Sequence, residues 1–392
     1  MTKLLFCLQT MVCGGVEKEL ITILKRFNPN EYDVTVLFLY QQETEMLESL
    51  PESVRLVDLD IDPKYFCGST TDIISTRLKK GHVLEAGQIA VEVGFRHKSS
   101  PAVISLDGMP ALPERYDAAV CYHVHSPTVL RYVVEKVNAK KRIAWIHNDF
   151  STTGFRVQQY ARWLNCYDLI VGVSRRLSDE FSERCPELKD RTITVHNIVD
   201  SGEITEKAQD QSEVEPEFLC DKRFKLLTVG RFVQQKGFDI AIKACVILKS
   251  RGVNLAWYAI GYGEQERSMR TLIHEQGLDD TFVILGRKDN PYPYMANVDL
   301  YVQPSRHEGY AITIEEAKAL DKLIVCTDFA GASEQLENGK NGVIVPTCTP
   351  EAIAAAIERL FLDGAYRDEL LSRIRAGEKT DGWRQIEELF QV

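Results

Sequence analysis

The fold is decided by residues 225–251, which read K-L-L-T-V-G-R-F-V-Q-Q-K-G-F-D-I-A-I-K-A-C-V-I-L-K-S-R. An apolar run at 225–229 leads into a polar loop bounded by glycines, and apolar residues with helical spacing follow at 239–251. A buried strand that passes through a short loop into an amphipathic helix is the repeating unit of a parallel α/β sheet. The stretch therefore predicts an α/β fold.

The same alternation continues along the chain in two separate series, with further helical spacing at 17–26 and 265–274. Apolar strands of this kind are typical of parallel sheets that helices cover on both faces. We therefore expect two doubly wound, Rossmann-like domains. The expected strands are 4–8, 34–39, 118–122, 142–146 and 169–173 in the first series, and 225–229, 255–260, 282–285, 300–303 and 323–326 in the second.

The boundary between the two series is an acidic, polar stretch at 200–221 that lacks sustained periodicity, which indicates a linker. We expect an N-terminal domain at 1–198, a linker at 199–221, a C-terminal domain at 222–370, and a C-terminal helix at 371–392 that packs back on the N-terminal domain. Ligands of open parallel sheets bind beyond the carboxyl ends of the strands. Two such domains therefore predict an interdomain cleft.

The composition excludes several classes of protein. The chain of 392 residues is 44% hydrophobic and 27% charged, and no run of about 18 apolar residues is present to span a bilayer. The N-terminal residues are expected to form a buried strand rather than a signal peptide. Ten cysteines without a C-x-x-C pair indicate reduced thiols in the cytoplasm, and neither a metal site nor a resident cofactor is expected.

The charge distribution argues against a nucleic-acid-binding domain. Residues 1–200 hold 24 basic and 26 acidic side chains, and residues 201–392 hold 23 and 31, so neither half is basic. Two local basic clusters are expected to lie on helices. Each is either a solvated helix face or a surface attracted to an anionic membrane. They consist of Arg77, Lys79 and Lys80, and of Lys136, Lys140, Lys141 and Arg142.

The loop at 230–237 has the residues that a diphosphate requires. Arg231 and Lys236 lie five positions apart between glycines, at the start of the next predicted helix. Arginine supplies a planar fork of donors and lysine a point charge, and both stabilise the charge that grows on a departing phosphate. Two further glycine turns, at 14–15 and 261–263, suit a close approach to a ligand but are common in purely structural roles.

The stretch at 304–320 reads P-S-R-H-E-G-Y-A-I-T-I-E-E-A-K-A-L and follows a predicted strand. Glu308 lies in the loop, and Glu316 follows eight positions later inside a predicted helix. A carboxylate in the loop can hold sugar hydroxyls, and one in the helix can accept from both hydroxyls of a ribose. Glu315 is expected only to stabilise the helix start, where a negative charge is favourable.

These residues resemble glycosyltransferase family 4. The spacing of Glu308 and Glu316 is similar to that family's E-x7-E signature, and residues 230–237 are similar to its G-R-x-x-x-x-K-G motif. The likeness also includes residues 14–17, Ser174, residues 195–200 and residues 331–334, whereas residues 40–113 do not match. The resemblance implies a GT-B fold and a retaining, metal-independent transferase, with the acceptor side at 40–113 and a hinge at 197–221.

The resemblance also implies roles for individual residues. Glu308, His147, Arg231 and Lys236 would take part in catalysis, with His147 hydrogen-bonded to the donor sugar. The implied donor-binding set comprises Gly15, Arg231, Lys236, Arg287, Glu308, Gly309, Tyr310, Ala311, Ile312, Thr313 and Glu316. Ala311 departs from the family's usual glycine, and a positive φ angle at this position would be strained.

The implied reaction moves a sugar from a nucleotide-diphosphate donor, expected to be a UDP-sugar, to a hydroxyl of a glycan or lipid-linked acceptor. The implied setting is bacterial cell-surface polysaccharide synthesis, in the cytoplasm or at the inner face of the membrane, with peripheral membrane association. Two alternatives stay open at this point. One is a catalytically silent subunit that binds sugar nucleotides, and the other is a sugar-nucleotide epimerase of the GT-B type.

Overall fold

The computed structural model describes residues 1–11, 14–40, 45–61, 74–75, 78–79, 81, 83–84, 86–87, 106, 109–150, 157–377 and 382–391. Most of the region at 40–113, including Arg77 and Lys80, therefore lies outside the described residues. The chain divides into two compact units. Unit 1 comprises Met1–Gly172, Ser178–Thr194 and Ile386–Val392, and unit 2 comprises Val173–Leu177 and Val195–Gln385.

The described part of unit 1 contains one parallel sheet of seven strands in the order β3-β2-β1-β4-β5-β6-β7. The strands are β1 (Thr2–Leu8), β2 (Tyr32–Phe38), β3 (Arg55–Asp58), β4 (Arg115–Cys121), β5 (Asn138–Ile146), β6 (Leu169–Gly172) and β7 (Thr192–Thr194). The described helices include α1 (Gly15–Arg26), α2 (Pro127–Glu135), α3 (Ala161–Leu164) and α4 (Arg175–Arg184), which begins in unit 2 and continues in unit 1, and 3₁₀ turns span Glu45–Ser49, Val157–Tyr160 and Pro186–Arg191.

Unit 2 contains a second parallel sheet, whose described strands follow the order β10-β9-β8-β11-β12-β13. These strands are β8 (Phe224–Val229), β9 (Leu255–Ile260), β10 (Phe282–Gly286), β11 (Leu300–Gln303), β12 (Leu323–Thr327) and β13 (Val343–Val345). The described helices are α5 (Ser201–Lys207), α6 (Pro216–Cys220), α7 (Phe238–Ser250), α8 (Glu266–Glu275), α9 (Tyr292–Ala296), α10 (Ile312–Ala319), α11 (Ala332–Gln335), α12 (Pro350–Leu362), α13 (Gly364–Ala376) and α14 (Trp383–Glu388), and a 3₁₀ turn spans Gln234–Lys236.

Helices cover both faces of the unit 2 sheet. Alternate strand residues such as Leu226 and Trp257 join one apolar cluster with α7, α8, α12 and α13. Their neighbours Leu227 and Tyr258 join a second cluster with α6, α9, α10 and α11. Since successive residues of a strand point to opposite faces, the sheet is doubly wound. The α/β fold and the two Rossmann-like sheets expected from the sequence are confirmed.

Three strands were not predicted, namely β3, β7 and β13. All three lie at or beside a sheet edge and are only three or four residues long. In β3 three of the four residues are exposed, and in β7 all three are half-buried. Because segments of three or four residues are too short to show a clear apolar pattern, the pattern that revealed the central strands does not reveal these.

The stretch at 199–221 differs from the expected structureless linker. It contains α5, which Asp200 caps by accepting from the Glu203 amide at 2.9 Å, and α6, which begins at a proline. Phe218 of α6 is buried, with its ring 4.7 Å from Tyr258 and 5.0 Å from Tyr294. Local capping signals and one aromatic anchor therefore stabilise a segment that shows no long apolar period, and it belongs to unit 2.

The C-terminal segment also differs from the single helix expected at 371–392. Helix α13 begins at Gly364, and α14 follows it as a separate short helix. Residues Ile386–Val392 belong to unit 1, where the Phe390 ring lies 5.6 Å from Phe6 and 5.4 Å from Phe27. Lys141 donates to the Leu389 carbonyl oxygen at 2.7 Å.

The second basic cluster lies on a strand rather than on a helix, because Lys140, Lys141 and Arg142 belong to β5. Lys140 pairs with Asp117 at 2.6 Å, and Arg142 donates to the carbonyl oxygens of Val133 and Val137. These cations therefore have partners within unit 1. None of the described helices has the length and hydropathy that crossing a bilayer requires.

Candidate functional site

The predicted diphosphate residues lie at the carboxyl edge of the unit 2 sheet. Strand β8 has β9 on one side and β11 on the other, so the winding of the sheet reverses at β8 and β11. Loops that diverge at such a reversal leave a crevice where open α/β sheets bind ligands. The loop at 230–237, here called the cation loop, follows β8, and the loop at 304–311, called the acid loop, follows β11.

The two loops contact each other through their backbones. Arg306 of the acid loop donates its amide to the Gln235 carbonyl oxygen at 2.8 Å, and Gln235 Nε2 donates to the His307 carbonyl oxygen at 2.9 Å. Gly237 has a φ angle of 69°, and a Cβ atom there would lie 2.0 Å from the Pro304 carbonyl oxygen. Only glycine allows this approach. The predicted motifs are therefore adjacent in the fold.

The turn at 261–264, which suits either a ligand role or a structural role, supports the cation loop. The Tyr262 carbonyl oxygen accepts from the Phe232 amide at 2.7 Å. A Cβ atom on Gly261, whose φ angle is 150°, would lie 1.9 Å from the Gly230 carbonyl oxygen. The cation loop and the turn at 261–264 therefore pack backbone against backbone. This close packing explains why glycines are present at 261 and 263, with no ligand role required.

Lys236 and Glu308 form an ion pair between the two loops. The Lys236 Nζ atom lies 2.5 Å from Glu308 Oε1. Glu308 is 8% exposed, and the same oxygen accepts from Ser305 Oγ at 2.8 Å and Gln303 Nε2 at 3.2 Å. A partly buried carboxylate is thus stabilised by a cation and two neutral donors, an arrangement that compensates for its loss of water.

Arg231 differs from Lys236 in having no such partner. Its side chain is exposed, and it forms no hydrogen bond or ion pair with any residue that the structure describes. The cation loop therefore presents one exposed guanidinium and one ammonium that is already bound to a carboxylate. Arg287, in the loop after β10, lies near the same sheet edge, with its guanidinium 5.4 Å from the Tyr262 ring and 3.4 Å from Asp289.

Glu316, the predicted ribose acid, is buried in α10. Its Oε1 atom accepts from the Tyr292 hydroxyl at 2.9 Å. Burial raises the pKa of Tyr292, and the neighbouring Glu316 carboxylate raises it further, so this hydroxyl keeps its proton and donates. The pair ties α9 to α10 at the end of the sheet where the acid loop lies.

Ala311 is unstrained and is hydrogen-bonded within unit 2. It has a φ angle of −79°, so it is not strained in place of glycine. Its amide donates to Gln335 Oε1 at 3.0 Å and its carbonyl oxygen accepts from Gln335 Nε2 at 2.8 Å. The Ala311 amide therefore has a partner within unit 2, and its predicted contact with the donor stays a prediction. The Thr313 hydroxyl donates to Gln303 Oε1 at 2.9 Å, so it also has a partner within unit 2.

Tyr310 contacts Asn197, the first residue of the expected hinge, and the neighbouring His196. The His196 ring stacks on Tyr310 at 5.0 Å, and Asn197 Nδ2 donates to the Tyr310 carbonyl oxygen at 3.2 Å. His196 also contacts Glu334 at 2.8 Å, and Glu334 accepts from the Arg175 amide at 2.8 Å. The turn at 331–334 that resembles the family thus positions neighbouring loops of unit 2.

In unit 1 the residues predicted to act are Gly15, at the start of α1, and His147, which follows β5. His147 is buried beside Glu19, with 3.6 Å between Nδ1 and Glu19 Oε2, and its ring lies 4.5 Å from Tyr122. Burial lowers the pKa of His147, and the nearby His123 and His125 lower it further. His147 is therefore a neutral imidazole, and its predicted contact with the donor sugar stays a prediction.

Sequence reasoning missed the acid side chain beside His147 and a second one beside His123. Glu19 is 1% exposed, and burial raises its pKa to about 8, although the Tyr122 hydroxyl donates to it at 3.1 Å. Glu17 lies 3.5 Å from His123. The signal was present as two glutamates at the start of α1 and a Y-H-V-H run after β4, but nothing local connects these stretches.

Two Rossmann-like parallel sheets, one in each unit, place the chain in the class of proteins with a GT-B fold. The crystal structure of Anabaena Alr3699/HepE in complex with UDP and glucose covers 100% of both chains with a TM-score of 0.71. The sequence identity is 17%, so this likeness concerns the fold alone. Residues 210–378 match the family described as Glycosyl transferases group 1.

Curated glycosyltransferases also match part of the chain. The chain is 28% identical over 180 residues to the amylovoran biosynthesis glycosyltransferase AmsK of Erwinia amylovora, which covers 43% of this chain and 44% of that protein. It is 29% identical over 216 residues to the capsular polysaccharide biosynthesis glycosyltransferase CapM of Staphylococcus aureus, covering 52% and 56%. The matches span about half the length of these relatives. The resemblance to glycosyltransferases is confirmed at the level of group 1.

Proposed function

We propose that this protein is a retaining glycosyltransferase that moves a sugar from a nucleotide-diphosphate donor to a hydroxyl of a glycan or lipid-linked acceptor. The observation that carries the proposal is the contact between Lys236 and Glu308 at the reversal of the unit 2 sheet, inside the segment that matches group 1 glycosyltransferases. The proposed donor is a UDP-sugar, because the Anabaena protein of similar fold is a complex with UDP and glucose. The proposed setting is polysaccharide synthesis, because the CapM relative is named for capsular polysaccharide biosynthesis.

The cation loop would hold the diphosphate of the donor. Arg231 is exposed and can offer its planar donors at once, whereas Lys236 must share its ammonium between the phosphate and Glu308. As the bond from the sugar C1 to the diphosphate oxygen breaks, negative charge grows on the leaving group, and both cations stabilise it. Two side-chain cations can supply this charge, so the proposal uses neither a metal ion nor another cofactor.

Retention follows if the acceptor attacks on the face from which the diphosphate departs. The acceptor oxygen forms the new bond to C1, and its proton passes to the departing phosphate oxygen, so the step is balanced without another reactant. Glu308 would accept hydroxyls of the transferred sugar, and the buried Glu316 would accept those of the ribose. Both carboxylates are already fixed by donors of unit 2, which lowers the ordering cost of binding.

A nucleotide panel tests the proposal directly. UDP, GDP and ADP, each alone and as the glucose conjugate, are added to the purified protein, and its melting temperature is recorded. A ligand that binds the folded state must raise this temperature. Turnover of the conjugate is then followed by nucleotide release, and the anomeric configuration of the product by NMR. We expect a UDP compound to give the largest shift and the product to keep the donor's configuration, with activity undiminished by a chelator.

Other outcomes separate the alternatives. A shift without any hydrolysis or transfer, even with polysaccharide or lipid-linked acceptors, would favour the silent subunit. Interconversion of the donor sugar without an acceptor would favour the epimerase. If none of the nucleotides raises the melting temperature and none is consumed, the proposed function is wrong.

A further inference from the structure

A chain of buried hydrogen bonds below the acid loop ends on Glu308. The Tyr301 hydroxyl donates to Gln303 Oε1 at 2.5 Å, Gln303 Nε2 donates to Ser305 Oγ at 2.8 Å, and Ser305 Oγ donates to Glu308 Oε1 at 2.8 Å. We call these four residues the buried relay. Gln303 is 1% exposed, and the proposed reaction gives it no role so far.

The orientation of the Gln303 amide is determined by its neighbours. Its Oε1 atom accepts from two hydroxyls, those of Tyr301 and Thr313. Its Nε2 atom also lies 3.2 Å from Glu308 Oε1. An ionised carboxylate can only accept hydrogen bonds, so the amide nitrogen and not the oxygen must face Glu308. The relay therefore runs in one direction, from Tyr301 towards the carboxylate.

The relay treats the two oxygens of Glu308 differently. Three donors converge on Oε1, namely Lys236, Ser305 and Gln303. No residue that the structure describes donates to Oε2. A carboxylate held through one oxygen has a fixed orientation, and its second oxygen keeps its capacity to accept from a ligand hydroxyl.

We propose that Gln303 is a positioning residue that holds Glu308 through Oε1 so that Oε2 can accept a hydroxyl of the donor sugar. The same amide binds Thr313 in the first turn of α10, the helix that carries Glu316. Gln303 therefore connects the proposed sugar-binding and ribose-binding acids to the end of β11. This inference rests on the proposed function, because it concerns how that site recognises its donor.

A simple packing role for Gln303 makes a different prediction from a positioning role. In the variant Gln303→Glu, the side chain keeps its size but replaces a donor with a carboxyl beside Glu308. Two carboxylates at this distance repel, so the introduced group has a raised pKa and can donate only when it is protonated. Activity should then be low at high pH and recover as the pH falls, which a loss of packing alone would not produce.

The experiment compares wild-type protein and Q303E with UDP-glucose as donor between pH 5.5 and 8. We expect the ratio of kcat/KM for Q303E to that for wild type to be about tenfold to hundredfold lower at pH 8, the loss typical of a hydrogen bond to a charged group. The ratio should rise as the pH falls. The dissociation constant for UDP-glucose should increase more than that for UDP, since Glu308 is proposed to contact only the sugar.

Two further variants keep the test decisive if Q303E does not fold. Q303M removes the donor without adding charge and should lower activity without a new pH dependence, and S305A removes one donor to Oε1 and should lower it less. Q211E, at an exposed position of the same unit, is the matched control and should behave as wild type. A ratio for Q303E that is near one, or low but independent of pH, would overturn the inference alone. Wild-type protein that consumes no sugar nucleotide would overturn the proposed function and this inference with it.

Discussion

The ammonium group of Lys236 lies 2.5 Å from Glu308 Oε1, so one of the two cations proposed to bind a diphosphate is already paired with a carboxylate of the protein. Arg231, five positions earlier in the same loop, is exposed and has no such partner among the described residues. A diphosphate must therefore compete with Glu308 for Lys236 but not for Arg231. The two cations should differ in what their removal costs.

Replacing Lys236 by alanine should reduce both stability and activity, whereas replacing Arg231 should reduce activity alone. Lys236→Ala leaves the largely buried Glu308 without its cation, and the expected loss is about 1–3 kcal/mol in the free energy of unfolding. Each variant should also lose on the order of 3 kcal/mol of transition-state stabilisation, measured as kcat/KM for UDP-glucose. Urea unfolding measures the free energy of unfolding, and steady-state kinetics measure kcat/KM.

Lys340→Ala is the matched control for this comparison. Lys340 pairs with Glu337 at 2.6 Å, but both side chains are about two-thirds exposed, at 65% and 66%. Solvent and salt screen such a surface pair, so this variant should resemble wild type in both measurements. An equal loss of stability in Arg231→Ala and Lys236→Ala would show that the pairing with Glu308 is not what distinguishes the two cations.

Gln335 is predicted to keep the acid loop in its binding conformation. Its amide forms two hydrogen bonds with the Ala311 backbone and a third with Glu315 at 3.0 Å. Gln335→Met has a similar volume but leaves these buried groups without partners, which should cost about 1–3 kcal/mol of unfolding free energy. Donor affinity, measured by titration calorimetry with UDP-glucose, should fall as well, since the loss of Gln335 frees the backbone of Ala311 directly after Tyr310, which is proposed to bind the donor.

The exposed Gln276 provides the control for Gln335, because Gln276→Met changes the same functional group at the surface. Its stability should stay within about 0.5 kcal/mol of wild type. If Gln335→Met unfolded at the same urea concentration as wild type and bound UDP-glucose equally well, the Ala311 backbone would not need this support.

The features that were predictable from the sequence are those carried by neighbouring residues. The central strands β8 and β9 are largely apolar runs, and β9 is buried throughout, so each can be recognised from its own residues. Arg231 and Lys236 share one short loop, and Glu308 and Glu316 share one loop and helix, so their spacing already implies a common location. The two Rossmann-like sheets followed from these local patterns, whereas the GT-B fold was implied by the family resemblance.

The features that were not predictable depend on pairs far apart in the chain. Gln335 contacts Ala311 across 24 positions, Asn197 contacts Tyr310 across 113, and Tyr122 contacts Glu19 across 103. Many buried side chains could satisfy such groups, and the sequence alone does not identify which one does. The partner of the Ala311 amide could not be predicted for this reason, since Gln335 lies on a different helix.

Glu19 in unit 1 should make the stability of the protein depend on pH. Burial raises its pKa from 4.5 to about 8, so the folded state keeps a proton that the unfolded chain releases. Between these two values the folded state binds more protons, and stability must fall as the pH rises until it levels off above pH 8. The Tyr122 hydroxyl and the neutral His147 face this carboxyl, and Glu17 and His123 lie beside them.

Glu19→Gln removes this titration while keeping an oxygen that can accept from Tyr122. The free energy of unfolding of the variant, relative to wild type, should therefore increase from pH 5 to pH 8, by an amount on the order of a few kcal/mol. The lowered pKa of His147 weakens both proteins as the pH falls below about 6.5, so this contribution largely cancels in the difference. Urea unfolding at several pH values measures it, with the exposed Glu187→Gln as a control that should show no trend. A constant difference between Glu19→Gln and wild type across this range would mean that Glu19 is ionised in the folded protein, and that His147 lies beside a carboxylate rather than a neutral acid.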